Sequence, residues 1–86
     1  MIPELEEIKR LLLWEWDPIG VAGIEGAVDE YDMYAMPIFT GLHSGATVDD
    51  ITDYLERVAI ERMGLNGDAA KARRVAAKIV ELHSTR

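Results

Sequence analysis

Apolar residues recur at helical spacing along most of the chain and predict four helices. In each segment they return every three or four positions, as on the buried face of an α-helix. No segment alternates with a period of two for long enough to form a strand, so we expect an all-α protein. Short links between the segments predict a compact antiparallel bundle of four helices. The predicted helices span about residues 3–15, 28–44, 48–63 and 68–83.

Capping residues and prolines indicate where these helices begin, end or bend. Thr47 followed three positions later by Asp50 resembles a capping box at the start of the third helix. Gly64 is suited to the left-handed C-cap that ends it. Asp17 precedes a proline, which pushes it out of the α region and ends the first helix. Pro37 removes a backbone donor inside the second helix, so we expect a kink or break there.

The length and charge of the chain narrow the class of protein. Its 86 residues are expected to form one helical domain spanning 1–86. A net charge of −7 makes nucleic acid an unlikely partner, because phosphates are bound by clustered Lys and Arg. The basic residues of the last helix are expected to form a solvated face that is balanced by acidic neighbours, and a small nucleic-acid-binding patch is the alternative. These residues are Lys71, Arg73, Arg74 and Lys78.

The composition also indicates a compartment and excludes some chemistry. The chain contains no cysteine, which excludes disulfides, thiolate metal sites and cysteine nucleophiles. It has no long apolar run and an acidic start without a basic leader, so we expect a cytoplasmic protein without membrane contact. The glycines at 20, 23 and 26 lack the spacing and the Lys-Ser/Thr ending of a phosphate loop. No catalytic motif is present, and we interpret the chain as not being an enzyme.

A cluster of carboxylates lies near the predicted start of the second helix. Asp29, Glu30 and Asp32 are close in sequence, and Asp17 lies just upstream. Carboxylate oxygens bind Mg²⁺ or Ca²⁺, so one hypothesis is a divalent-metal protein that uses these four residues and has hydrolytic activity. The alternative, which we favour, needs no metal or other cofactor, because carboxylates are stabilised in a first helical turn.

The two histidines, His43 and His83, are far apart in sequence. Each lies near the predicted C-terminus of a helix, where a positive charge is favourable. That position accounts for both without a catalytic or ligand role, so we expect neither to carry one.

Aromatic side chains flank the acidic cluster and point to a binding surface. Trp14 and Trp16 are two positions apart, so we expect one in the core and the other half-exposed. Tryptophan and tyrosine are enriched at binding hot spots. We therefore predict a small acidic, non-enzymatic protein-interaction module: an adaptor, an immunity or antitoxin-like inhibitor, or a protein that self-associates through the alanine-rich face of its last helix. The predicted contact residues are Trp16, Asp17, Asp29, Glu30, Asp32 and Tyr34.

Three motifs together resemble a known family. They are WDPIGV at 16–21, DEYDMY at 29–34, and MGL at 63–65 preceded by Tyr54 and Leu55. Their order and spacing resemble a family of small bacterial all-helical proteins that is catalogued as a domain of unknown function. The resemblance covers nearly the whole chain. It implies a small cytoplasmic all-α protein and supplies no activity, substrate or site residue.

Overall fold

The computed structural model describes residues 3–20, 23, 24, 26 and 29–85, and within them the chain is helical and has no strand. Two of the α-helices, α1 (Pro3–Leu11) and α3 (Val48–Arg57), continue directly into a five-residue π turn, at Leu12–Trp16 and Val58–Arg62 respectively. These elements confirm the predicted all-α bundle. The helices are α1 Pro3–Leu11, α2 Asp32–His43, α3 Val48–Arg57 and α4 Ala69–Ser84.

The start of α3 is the capping box that the sequence predicts. The backbone N–H of Asp50 donates to Thr47 Oγ1 at 3.1 Å, and the N–H of Thr47 donates to Asp50 Oδ2 at 2.9 Å. Two backbone donors that the first helical turn leaves unpaired are thereby satisfied. At the start of α4, Asp68 Oδ1 accepts from the N–H of Lys71 at 3.1 Å. Both helices therefore begin at a side chain that replaces a missing backbone acceptor.

The end of the third helical segment also follows the prediction. Gly64 has φ +68°, the left-handed conformation that a residue without Cβ adopts at low cost. The N–H of Leu65 then donates back to the carbonyl oxygen of Ala59 at 2.9 Å, which closes the helix end. The chain turns here toward α4.

The second helix differs from the prediction in its start and at its proline. Asp29 and Glu30 lie in a turn before α2, in which the N–H of Asp32 donates to the Asp29 carbonyl at 3.1 Å, so their predicted place in the first helical turn is wrong. Residues 27 and 28 lie outside the described residues. Tyr31 is only 1% exposed, and its anchored ring fixes where the chain enters the helix. Pro37 does not break α2, which continues to His43.

The core is formed by the predicted helix faces, with Ile8, Leu12, Leu55 and Ile79 fully buried. α1 packs against α2 and α4, and α3 packs along α4. Small alanines on α4 allow the close approach of α3, since Ala72 and Ala76 are also fully buried. Ala72 and Ala76 are therefore covered within the chain, whereas Ala69, Ala70 and Ala77 are exposed. Self-association through the alanine-rich face stays a prediction.

Candidate functional site

A partly buried polar contact joins the end of the first helical segment to the residue that precedes α2. Trp16 ends the π turn, and Asp17 follows it with φ +28°, outside the helical region. The Tyr31 hydroxyl donates to Asp17 Oδ1 at 2.6 Å and accepts from the backbone N–H of Ile19 at 3.3 Å. The Trp16 ring lies 5.4 Å from the Tyr31 ring, centroid to centroid. Burial first, and then the hydrogen bond to Asp17, raise the pKa of the Tyr31 hydroxyl above its ordinary value.

The structure divides the predicted contact residues into two groups. Trp16 is 2% exposed, so it cannot present its ring to a partner, and Tyr34 is partly buried with its ring 6.5 Å from that of Trp16. Asp17 accepts from Tyr31. The second group is on the surface: Asp29 and Glu30 are exposed in the turn, and Asp32 is half-exposed at the start of α2. Trp16 therefore belongs to the core, Asp17 and Tyr34 are partly buried beside it, and the second group lies on the surface.

Large apolar side chains are exposed on α2 and on the π turn at Leu12–Trp16, and one of them is the tryptophan two positions before the predicted Trp16. Trp14 is 58% exposed, Met33 is 68% exposed and Met36 is 49% exposed. Trp14 shares a shallow depression of about 300 Å³ with Glu6 and Asp32. Asp32 and Met36 are four residues apart and share a face of α2. We use the name Trp14 patch for Trp14, Met33, Met36, Glu6 and Asp32. Extending the apolar spacing of α1 beyond Leu12 leads to position 16 rather than 14, a signal that could have assigned each tryptophan.

One basic side chain, Lys9, is paired with both acids of the Trp14 patch. Lys9 Nζ lies 3.1 Å from Glu6 Oε2 and 3.9 Å from Asp32 Oδ2, so this lysine bridges α1 and α2. The contact holds the start of α2 against the first helical segment. The two acids of the patch therefore share one lysine as their charge partner.

Two of the four basic residues on α4 pair with acidic neighbours. Arg73 lies 2.7 Å from Asp49 of α3, and Lys78 pairs with Glu15 of the π turn. Lys78 lowers the pKa of the Glu15 carboxyl, first through its hydrogen bond and then through its charge. Basic side chains that are paired with acids in this way have less positive charge available to bind phosphate groups.

A second cluster joins the ends of three helices. Glu4 in the first turn of α1 is buried, and its Oε2 lies 2.8 Å from Nδ1 of His83 in the last turn of α4. His43, the last residue of α2, places its ring 5.1 Å from the His83 ring and 4.7 Å from the Phe39 ring. One ligand atom from each of Glu4, His43 and His83 lies within 4.8 Å of the other two.

Helical periodicity placed His43 and His83 near helix C-termini but did not predict that they lie together with Glu4. In an antiparallel arrangement, α2 and α4 end where α1 begins, and this directional argument could have placed the two histidines together. By contrast, the four acids Asp17, Asp29, Glu30 and Asp32 form no group of three with ligand atoms this close. Within the described part of the chain, Glu4, His43 and His83 are the group that does.

Among the described residues, no helix has both the length and the apolar character needed to cross a membrane. No protein-family model, no curated protein and no solved structure matches the chain.

Proposed function

We propose that this protein is a non-enzymatic protein-interaction module that binds another protein through the Trp14 patch. The observation that carries the proposal is the exposure of three large apolar side chains, Trp14, Met33 and Met36, on two adjacent elements. A tryptophan that is more than half exposed keeps much of its apolar surface in contact with water, and burying that surface against a partner has a favourable free energy. Methionine is flexible and polarisable, and is common in surfaces that adapt to a partner.

The charges around the patch indicate the chemistry of the partner. The acids Glu6 and Asp32 line the same depression as Trp14, but Lys9 and Arg10 line it too and balance their charge. The surplus negative charge is that of Asp29 and Glu30, which are exposed in the turn before α2. An acidic rim speeds association with a basic surface and disfavours an acidic one. We therefore propose a partner with an apolar contact centre that is surrounded by Lys or Arg. An adaptor and an inhibitor of a basic enzyme both fit this description.

The proposed setting follows the sequence rather than the geometry. The cysteine-free composition and the motifs at 16–21, 29–34 and 63–65 support a cytoplasmic protein of the small bacterial helical family that they resemble. The buried Trp16 and Tyr31, and the Asp17 carboxylate that accepts from Tyr31, give those motif positions a role in stabilising the fold.

The test is to capture a partner from a lysate of the source organism and then measure its affinity with purified proteins. Trp14→Ser should weaken binding about 30-fold or more, as expected for removal of a hot-spot tryptophan. Ile60→Ser is the matched control, because Ile60 is 50% exposed and lies in the other π turn. Asp32→Lys should slow association with a basic partner.

Three outcomes decide the proposal. Loss of affinity in Trp14→Ser and retention in Ile60→Ser would support it. Equal affinity of the native chain and Trp14→Ser would refute the surface, and the lack of any saturable protein partner would refute the class. If light scattering shows a dimer that Trp14→Ser converts to a monomer, the partner is a second copy of the chain.

A further inference from the structure

We propose that Glu4, His43 and His83 form a binding site for one divalent transition-metal ion of the zinc class. The proposal concerns the end of the bundle where α1 begins and where α2 and α4 end. It is independent of the Trp14 patch, with which it shares no residue.

The donor set selects the type of ion. Two imidazole nitrogens and one carboxylate oxygen are ligands that zinc commonly takes, whereas Mg²⁺ and Ca²⁺ prefer sites made of oxygen alone. Three protein ligands leave a fourth position of a tetrahedral ion for water or another small ligand. The ion expected here is therefore Zn²⁺ or a neighbouring transition metal, and not the Mg²⁺ or Ca²⁺ that an acidic cluster would bind.

The distances are compatible with such an ion after small side-chain rotations. Tetrahedral zinc with bonds of about 2.0–2.1 Å separates its ligand atoms by roughly 3.3 Å. Glu4 Oε2 and His83 Nδ1 are 2.8 Å apart, slightly closer than this, and all three ligand atoms lie within 4.8 Å of one another. The first pair needs to open by about half an ångström and His43 needs to move inward. The helix backbones already bring the three side chains together.

The third residue distinguishes this cluster from an ordinary helix-end ion pair. A glutamate at a helix N-terminus and a histidine at a helix C-terminus each complement the helix dipole, so Glu4 and His83 need no further partner. His43 nevertheless lies against His83, from a different helix, and Phe39 packs edge-on against its ring. Two imidazoles and a carboxylate from three helices are more than the dipoles require.

The three side chains of the cluster differ in their exposure to water, so that part of the site is shielded and part is open. Glu4 is buried and His83 is half-buried, so these two ligands are partly shielded from water. His43 is exposed, which leaves a path by which an ion can enter. Bound metal would connect residues 4 and 83 and would stabilise the fold, because a ligand that binds only the folded state raises its stability.

The test uses the purified chain without a histidine tag, stripped with a chelator and titrated with ZnCl₂ alone. Calorimetry should show one Zn²⁺ per chain with micromolar or tighter affinity. A saturating excess should raise the Tm by about 5 °C or more, and millimolar MgCl₂ should leave it unchanged. The imidazole proton resonances of both histidines should shift together and saturate at the same stoichiometry.

Two variants and one control assign the ligands. His43→Ala changes an exposed side chain, and Glu4→Gln keeps the size of the residue and its hydrogen bond, so both are expected to fold. Each should weaken Zn²⁺ binding at least tenfold and should reduce the zinc-induced Tm rise. Glu81→Gln, which changes an exposed acid two positions before His83, should behave like the native chain.

The proposal is overturned by any of three results. The first is the absence of saturable binding up to 100-fold excess Zn²⁺. The second is native-like zinc affinity in His43→Ala, which would show that His43 is not a ligand. The third is one Zn²⁺ per two chains, which would place the ion between copies and not within this cluster.

Discussion

Removal of the Tyr31 hydroxyl is the most direct test of how the first helical segment is held to α2. Tyr31→Phe deletes the one oxygen that donates to Asp17 Oδ1 at 2.6 Å and accepts from the Ile19 N–H at 3.3 Å. The ring stays, and with it the contact to Trp16, whose centroid is 5.4 Å away. The substitution therefore changes the hydrogen bonds and leaves the packing nearly constant.

The size of the effect follows from the groups involved. A hydrogen bond to a charged group contributes about 1.5–3 kcal/mol to the free energy of unfolding. Asp17 is half-exposed, so water replaces part of the lost interaction, and the expected loss is near the lower end, about 2 kcal/mol. For a chain of this length, that free energy corresponds to a fall in Tm of roughly 10 °C.

The assay is urea unfolding followed by far-ultraviolet circular dichroism, which reports on the helices and not on the aromatic rings. Tyr54→Phe is the matched control, since the Tyr54 hydroxyl makes a longer 3.4 Å hydrogen bond to the uncharged carbonyl of Tyr34. Tyr54→Phe should lower the free energy of unfolding by about 0.5 kcal/mol or less. If both variants lose the same free energy, the contact between Tyr31 and Asp17 does not stabilise the fold and the argument fails.

Two further predictions concern pH and backbone conformation. Burial and the hydrogen bond to Asp17 raise the pKa of Tyr31 above its ordinary 10.0, so its stabilisation is complete below that pH and is lost as the pH rises toward the folded-state value. The urea midpoint of the native chain should thus fall more steeply above pH 10.0 than that of Tyr31→Phe, and parallel curves would contradict the assignment. Gly64→Ala places a side chain at φ +68° and should lower the free energy of unfolding by about 1 kcal/mol. Gly41→Ala lies within α2, where the nearest atom is 3.5 Å from the new Cβ, and should raise the free energy of unfolding by about 0.5 kcal/mol. Urea midpoints that move in the same direction for both glycine variants would refute this difference.

Local signals carried most of the fold prediction. The capping box of Thr47 and Asp50 and the left-handed Gly64 involve neighbours in sequence, so their chemistry is readable from the chain. The apolar faces of the helices were predicted for the same reason. The start of α2 was placed too early because the Tyr31 ring is held by Asp17, 14 positions away, and local periodicity contains no information about that contact.

The candidate sites were less predictable because they depend on how helices meet. Periodicity gives the buried face of a helix, but it does not say which helix ends lie together. His43 and His83 were therefore interpreted separately, although one end of the bundle contains both. The sequence pattern left open which tryptophan is exposed; Trp16, a predicted contact residue, is in the core, while Trp14 is exposed. The acidic residues Asp29, Glu30 and Asp32 were placed on the surface correctly, but only the structure shows Trp14 beside Asp32.

The contact between Glu4 and His83 has a consequence for the order in which the bundle assembles. The two residues are 79 positions apart, whereas Glu56 accepts a hydrogen bond from the Asp68 N–H only 12 positions away, between α3 and α4. Closing the longer loop in an unfolded chain costs about 1.7 kcal/mol more entropy than closing the shorter one. We therefore expect the α3–α4 hairpin to form early and to serve as the template on which α1 docks late.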